Sequence, residues 1–396
     1  MYTQLLDHLL GQGLINGTLW GRAAMERWKR LRLDRRRRDR IARRSNWRRR
    51  LRYLRQQRLD GLAERLPQRV RRSDGRKYRP IKAPPHLNLQ DAFSETVDFL
   101  SLVRQTSTSI LGKFYVDFTT VETLTPAAAL LVVAEFDRWR ELVKSRSLRP
   151  IDLDQWKPEV YNILYEMGFF DLLSTGKVKV PMPSHPVNVD ERYLSFVSGH
   201  EAEGNKAKQL RLGIEALGPK LRQRNLLFQG LTEAMTNVKH HAYNVGDHVK
   251  RWWMSASVDT TGRRLRIMFL DHGLSIPVVL PRRKMERLRA VAEFILPLPQ
   301  LLKSDASLIQ AAVELNRSGT GQDHRGFGLN RDIQGYIENL DARGKLRILS
   351  GRGQYVYEKS PGQSGSASTK ALPAKFGGTF IEWIIEDYAA GDKDDQ

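Results

Sequence analysis

Glu233, Asn237 and His241 recur at every fourth position of a segment that also carries Leu226, Leu227, Leu231 and Met235. That spacing stacks side chains on one face of a helix. The segment from Leu221 to Ala242 is therefore read as a helix with a polar stripe beside an apolar one. Such a helix must pack on a core and still present an acid, an amide and an imidazole together. Its surroundings narrow the fold further. A helical pattern runs from Asn205 to Leu217, and two strand patterns follow, Trp252 to Asp259 and Arg264 to Leu270, joined by a Thr260-Thr-Gly262 turn. Helices begin near Arg283, Ser307 and Gly328, and late strands run from Leu346 to Ser350 and from Phe380 to Ile385. Helix and strand patterns alternating in this way give an α/β class, with helices on one face of a mixed sheet.

Four separated segments sharpen this reading. They are Glu233-Ala-Met-Thr-Asn237-Val-Lys-His-His241-Ala-Tyr243, Asp271-His-Gly273-Leu-Ser-Ile-Pro277, Arg325-Gly326-Phe-Gly328-Leu329 and Gly377-Gly378-Thr379. Their order resembles that of the GHKL (Bergerat-fold) ATPase superfamily, which includes gyrase, heat-shock chaperones, histidine kinases and MutL. The Asn-x-x-x-His-x-Tyr form is similar to the anti-sigma-factor kinase branch. The resemblance implies a two-layer Bergerat sandwich over residues 188–386, with ATP and Mg²⁺ as cofactors. By motif, Glu233 would be the general base and Asn237 a Mg²⁺ ligand through its amide oxygen, which suits a hard cation. Asp271 would accept a hydrogen bond from the adenine amine, beside Gly273, where the ring approaches the backbone. Thr379 would support that aspartate through a water. Gly326 and Gly328 open a helix, where exposed amides favour phosphate. Ser318-Gly-Thr-Gly321 before them reads as a lid. His241 is read either as a phosphate or lid contact or as a core histidine.

The first half carries a second, smaller pattern. Phe114 to Phe118 reads as a strand, Thr125 as an N-cap ahead of Pro126, Ala127 to Lys144 as a helix, and Trp156 to Leu173 as another. The string Val116-Asp-Phe-Thr-Thr-Val-Glu-Thr-Leu-Thr-Pro-Ala, with Leu164-Tyr-Glu-Met-Gly168-Phe-Phe-Asp-Leu-Leu173, is similar to STAS domains of the anti-anti-sigma type, here over residues 86–180. The Asp-Ser-Ser/Thr-Gly phosphoacceptor loop of that type is absent, and capping explains Thr125 without phosphorylation. Lys82-Ala-Pro-Pro85 and Pro181 to Asn188 read as joints. Residues 387–396 form a short acidic tail.

Charge is concentrated at one end. Residues 1–80 hold 25 Lys and Arg against 7 Asp and Glu, so this arm carries +18 of the chain's +22. Arginine dominates between residues 22 and 79, with Trp28, Trp47 and Tyr53 among the charges. Guanidinium forks suit phosphates and stack on bases, which points to nucleic acid. An anionic membrane surface, an acidic protein or a solvated extension without a specific partner are the alternatives. There are no cysteines in the 396 residues, which excludes disulfides, thiolate metal sites and cysteine nucleophiles. No apolar run reaches the roughly 18–20 residues of a transmembrane helix. The start of the chain lacks the pattern of a secretory signal. A cytoplasmic location is expected, with an Arg-rich organellar presequence the alternative. Neither a GxxxxGK[ST] loop nor a His-Glu-x-x-Thr-Pro box occurs, and the surroundings of His272 and His324 do not form a transition-metal pattern. The function expected is therefore Mg²⁺-dependent ATP binding, with slow hydrolysis or transfer to a Ser/Thr of a protein phosphoacceptor or STAS-type partner, in a homo-oligomer. The alternative is a nucleic-acid-associated, ATP-driven assembly switch without kinase activity.

Overall fold

A computed structural model describes residues 68–71, 77–107, 114–143, 151–173, 190–243, 249–283, 285–292, 295–315 and 333–388. The chain divides into two compact units, Met1–Leu66 and Pro67–Gln396. The first unit, with most of the Arg-rich arm, lies outside the described residues. So do the 181–188 joint, the Ser318–Gly321 lid, Gly326, Gly328 and nearly all of the acidic tail.

The second unit is α/β and is organised by one antiparallel sheet. Its strands are β6 (Glu191–Tyr193), β7 (Val197–Gly199), β8 (Trp252–Asp259), β9 (Arg264–Asp271), β10 (Arg343–Lys359) and β11 (Ser366–Glu386). The order across the sheet is β10-β11-β9-β8-β6, with β7 also pairing β8. The pairs are antiparallel throughout, in place of the expected mixed sheet. The late strands are also much longer than their central apolar cores. Each continues into a mostly polar hairpin, residues 351–372, whose buried run Tyr355-Val356-Tyr357 does not alternate with polar residues.

Along the central strands, successive residues face opposite ways, and both faces are apolar. Trp252, Met254, Ala256, Leu265, Ile267, Phe269, Ile381 and Trp383 point to one core. That core is closed by α5 (Gly204–Ala216), α6 (Arg224–Asn237), α7 (Ile276–Arg283), α10 (Asp305–Glu314) and α11 (Gly335–Glu338). Trp253, Met268, Leu270, Leu349 and Phe380 point to the other. These residues are covered by α1 (Phe93–Ser107) and α2 (Pro126–Val143), which belong to the region read as STAS-like. A sheet with two apolar faces needs a cover on each. Half of this sheet is therefore the middle of three layers, where two were expected.

The covering region has its own short parallel pairings, β2 (Lys77–Lys82) with β4 (Phe114–Asp117) and β3 (His86–Leu87) with β5 (Thr123–Leu124). The stretch read as a linker at Lys82–Pro85 is part of this structure. Ala83 is buried and its amide donates to Asp117 O at 2.9 Å. The expected cap is present, with the Ala128 amide donating to Thr125 Oγ1 at 3.4 Å. The helix expected from Trp156 to Leu173 is instead two, α3 (Pro158–Glu166) and α4 (Phe169–Leu172), broken at Gly168 with φ +82°. Between α7 and α10 lie α8 (Met285–Ala292) and the single turn α9 (Leu298–Leu301). No helix among the described residues is long and apolar enough to cross a membrane.

One buried ion pair fastens the layers. Asp137 on α2 accepts from Arg251 Nη1 at 2.8 Å and from the Trp253 indole at 2.9 Å. The Asp137 side chain is 2% exposed. Removing one member of a buried pair strands the other charge, at about 3–5 kcal/mol. Asp137→Ala is therefore expected to lower unfolding free energy by that amount, measured by denaturant titration at constant slope.

Candidate functional site

The site lies where β9 and β11 end against α6. Cross-strand register puts Trp252, Asp271, Thr379 and Ser350 in one rung. All four belong to the helix-covered face. Asp271 is buried, and its Oδ1 accepts from the Gly273 amide at 2.7 Å. Burial pushes the Asp271 carboxyl up to about 7, opposed by hydrogen bonds from the Gly273 amide and from the backbone and side chain of Thr379. Thr379 thus stands beside the aspartate it was expected to support. Ser350 completes the rung. Its Oγ lies 3.1 Å from Thr379 Oγ1, donates to Gly378 O at 3.0 Å and accepts from the Ile276 amide at 2.9 Å.

Gly273 makes the close approach possible. A Cβ there would overlap the carbonyl of Ala242, the oxygen that accepts from the Leu274 amide. The end of the α6 segment and the Asp271–Gly273 turn are in this way locked backbone to backbone. The segment departs from the simple stripe. α6 stops at Asn237, and Val238–Ala242 form a π turn. Such turns concentrate at functional sites, and the wider turn shifts His241 off the row defined by Glu233 and Asn237. Asn237 and His241 nonetheless line one cavity with Asp271 and Thr379. Phe269, Leu274, Ile276, Val279 and Ile381 supply its apolar walls. Glu233 is half-buried one turn earlier on α6 and is not among the residues lining that cavity. Among the described residues no three His, Asp or Glu side chains converge as a metal cage.

The cavity volume is about 40 Å³, close to the roughly 30 Å³ that one water occupies in the liquid. The polar groups are thus assembled around a small, partly open space. The wall of Leu274, Ile276 and Val279 is joined to the rest through the Leu274 and Ile276 amides.

Behind the rung, alternation turns His272 to the opposite face. The His272 ring packs at a tilt against Trp253, 4.8 Å between centroids, and its Nδ1 lies 3.8 Å from Glu135 Oε2 on α2. Burial first, then the Arg104 and Arg138 guanidinium groups, hold the imidazole well below its usual range, so it is neutral. Glu135 is paired by Arg104 at 2.8 Å and by Arg138 at 3.0 Å. Tyr243 closes the turn from the other side. Its hydroxyl donates to Arg251 O at 2.6 Å and accepts from the His272 amide at 3.2 Å. Sequence reasoning passed over Ser350 and Glu135, and considered His272 only to decline a metal there. Ser350 was detectable as a polar residue at the inward position of Leu346-x-Ile348-x-Ser350; Glu135, in an otherwise apolar helix, signalled only a buried partner.

Comparison with protein-family models, with curated proteins and with solved structures finds no match to this chain.

The buried carboxyl gives a measurable signature. Folding raises the Asp271 pKa from 3.8 to about 7, so the folded state binds more protons across that window. Stability contributed by the protonated carboxyl is present below 3.8 and is lost as pH rises to about 7. Asp271→Asn removes this titration. The stability difference between Asp271→Asn and the parent should grow in favour of the variant through that window and level off above it. Unfolding titrations at closely spaced pH values measure this; a constant difference would mean that the carboxyl is not buried as described.

Proposed function

We propose that the second unit is a Mg²⁺-dependent ATP-binding module of the GHKL type, preceded by a STAS-like layer that packs on its sheet. The observation that carries this reading is the meeting of Asp271, Thr379, Asn237 and His241 around one cavity, from three segments remote in sequence. The element order supports it too: helix with Glu233 and Asn237, two antiparallel strands, a turn with Asp271 and Gly273, helices, then a final hairpin carrying Thr379.

The residues fit the group chemically. Asp271 is a buried acceptor on a glycine turn, suited to an exocyclic amine. The Asn237 amide oxygen suits a hard cation, and Mg²⁺ held mainly by phosphates and water needs few protein ligands. Bound Mg²⁺ and ATP would supply an activated γ-phosphoryl group. Glu233, one turn before Asn237, is the candidate acceptor for the proton of an attacking water or hydroxyl. Gly326 and Gly328, outside the described residues, are assigned to the phosphates by sequence alone. Phosphoryl transfer rests mainly on positioning and charge stabilisation, and this set of residues offers both. Hydrolysis and transfer to a protein Ser/Thr are the two outcomes of this chemistry. The arm's +18 in residues 1–80 favours a second reading, an ATP-driven switch on nucleic acid.

Incubation with γ-labelled ATP, with and without RNA or DNA, separates the outcomes. Label on protein indicates a kinase, and phosphate release stimulated by nucleic acid indicates the second reading. Calorimetry tests the site itself. Asp271→Asn presents a donor where an acceptor is required, which costs about 1–3 kcal/mol, so ATP affinity should fall roughly tenfold or more. Asn237→Ala should remove the Mg²⁺ dependence of binding, and Glu233→Ala should keep binding and lose turnover. Unchanged ATP affinity in Asp271→Asn would place adenine elsewhere.

A further inference from the structure

The sheet face that buries Trp253 and Phe380 is only half covered by α1 and α2. Beyond them the same face turns from apolar to charged. Register gives three successive rungs over β9, β11 and β10: Met268–Glu382–Arg347, Arg266–Ile384–Lys345 and Arg264–Glu386–Arg343. The outer two floor a groove of about 690 Å³, walled by the Leu89–Phe93 segment and by the far part of the β10–β11 hairpin. That volume lies within the range of small-molecule sites, about 300–1,000 Å³. The groove shares no lining residue with the Asp271 cavity, which opens on the other face.

Its floor is cationic. Seven Lys and Arg line the groove against four Asp and Glu. The innermost pair is satisfied: Arg347 donates to Glu382 at 2.7 and 2.9 Å and to Leu89 O at 3.3 Å. The outer arginine pairs are looser, while Lys345 is held by Glu358 at 2.6 Å. Arg264 and Arg343 stand 3.5 and 3.6 Å from Glu386, and Arg266 stands 3.5 Å from Glu382. The side chains of Arg264, Arg343 and Lys345 are 40%, 63% and 40% exposed. Two residues along a strand span about 7 Å, and two strand spacings span about 10 Å. Arg264, Arg266, Arg343 and Lys345 thus mark the corners of a rectangle of that size, with Ile384 and Glu386 at the midpoints of its two long sides.

We propose that this groove is a second ligand site, for a small soluble anion bearing several phosphate groups. Guanidinium edges outnumber ammonium groups on the floor, and they match phosphate oxygens in pairs. A single-stranded nucleic acid would use aromatic faces for its bases; the sole aromatic in the lining, Phe93, is 3% exposed. A peptide would use an apolar anchor pocket, and the floor offers only Ile384 between charges.

Hydrogen–deuterium exchange on the full chain, with inorganic tripolyphosphate as probe, tests this at about 50 mM salt, where exposed charges are weakly screened. Exchange should slow at Arg264–Asp271, Arg343–Lys359 and Ser366–Glu386, in a saturable manner. R264Q/R343Q/K345Q, which leaves the buried Arg347–Glu382 pair intact, should weaken that protection at least about tenfold, as expected when charge-assisted contacts are lost. Peptides from residues 1–66 report binding to the Arg-rich arm and should respond alike in parent and variant. Arg343→Gln alone, at the most exposed corner, replaces the triple variant if that fails to fold. Protection confined to residues 1–66, protection of the three strands that survives in the variant, or protection by hexaglutamate or a 12-nucleotide oligothymidylate but not by tripolyphosphate would overturn the proposal.

Discussion

The end of β9 is the point on which both faces of the sheet depend. Strand alternation sends Asp271 towards α6 and His272 towards α2, from adjacent positions on one backbone. Each is held by contacts the other cannot make: Asp271 by Thr379 and the Gly273 amide, His272 by Trp253 and the Glu135 cluster. Neither layer can shift at this edge without moving the residue that serves the other. The layer formed by α1 and α2 is therefore part of the wall behind the candidate site, and the two regions that sequence reading separated by joints fold as one unit.

Electrostatics gives this edge its direction. Glu135 and Asp137 are both nearly inaccessible on α2, two positions apart, and each is matched by arginine. Arg104 and Arg138 surround Glu135 with more positive charge than one carboxylate balances, and His272 answers by staying neutral. A displacement of α2 would part Asp137 from Arg251, a cost of several kcal/mol by the usual penalty for a stranded buried charge, whereas Arg138, on α2 itself, would stay with Glu135. The coupling between α2 and the Asp271 turn is accordingly stiff, and it passes through charges that surface exposure would relax.

Legibility followed periodicity. β8 and β9 are plain in the sequence because both carry strong apolar residues and end at a Thr-Thr-Gly turn. α6 was legible from its stripe, and Asn237, His241, Asp271 and Thr379, singled out in the sequence, line one cavity. The shift at His241 was not legible, because a π turn leaves no compositional mark. The second cover on the sheet was hidden for a different reason. Trp253, Leu270 and Phe380 read as ordinary strand apolar residues, and only strands with both faces apolar announce two covers. The long hairpin was missed because most of its outer residues are polar and its apolar run, Tyr355-Val356-Tyr357, does not alternate with them.

The narrow cavity follows from the same lock that builds it. Leu274 and Ile276 are tied by their amides to Ala242 and to Ser350, so the wall over the rung is anchored at one end to the α6 segment and at the other to β10. Opening at the Ala242 end leaves Asp271, Thr379 and Ser350 in place, because their rung is held by sheet register. Opening at the Ser350 end frees a hydroxyl that Thr379 and the Gly378 carbonyl can still satisfy. The acceptor is thus preorganised in the sheet, and the movable part is the wall bearing apolar side chains, whose exposure costs about 25 cal/mol per Å². A flat apolar ring with one donor edge would restore that burial and supply the hydrogen bond in the same step.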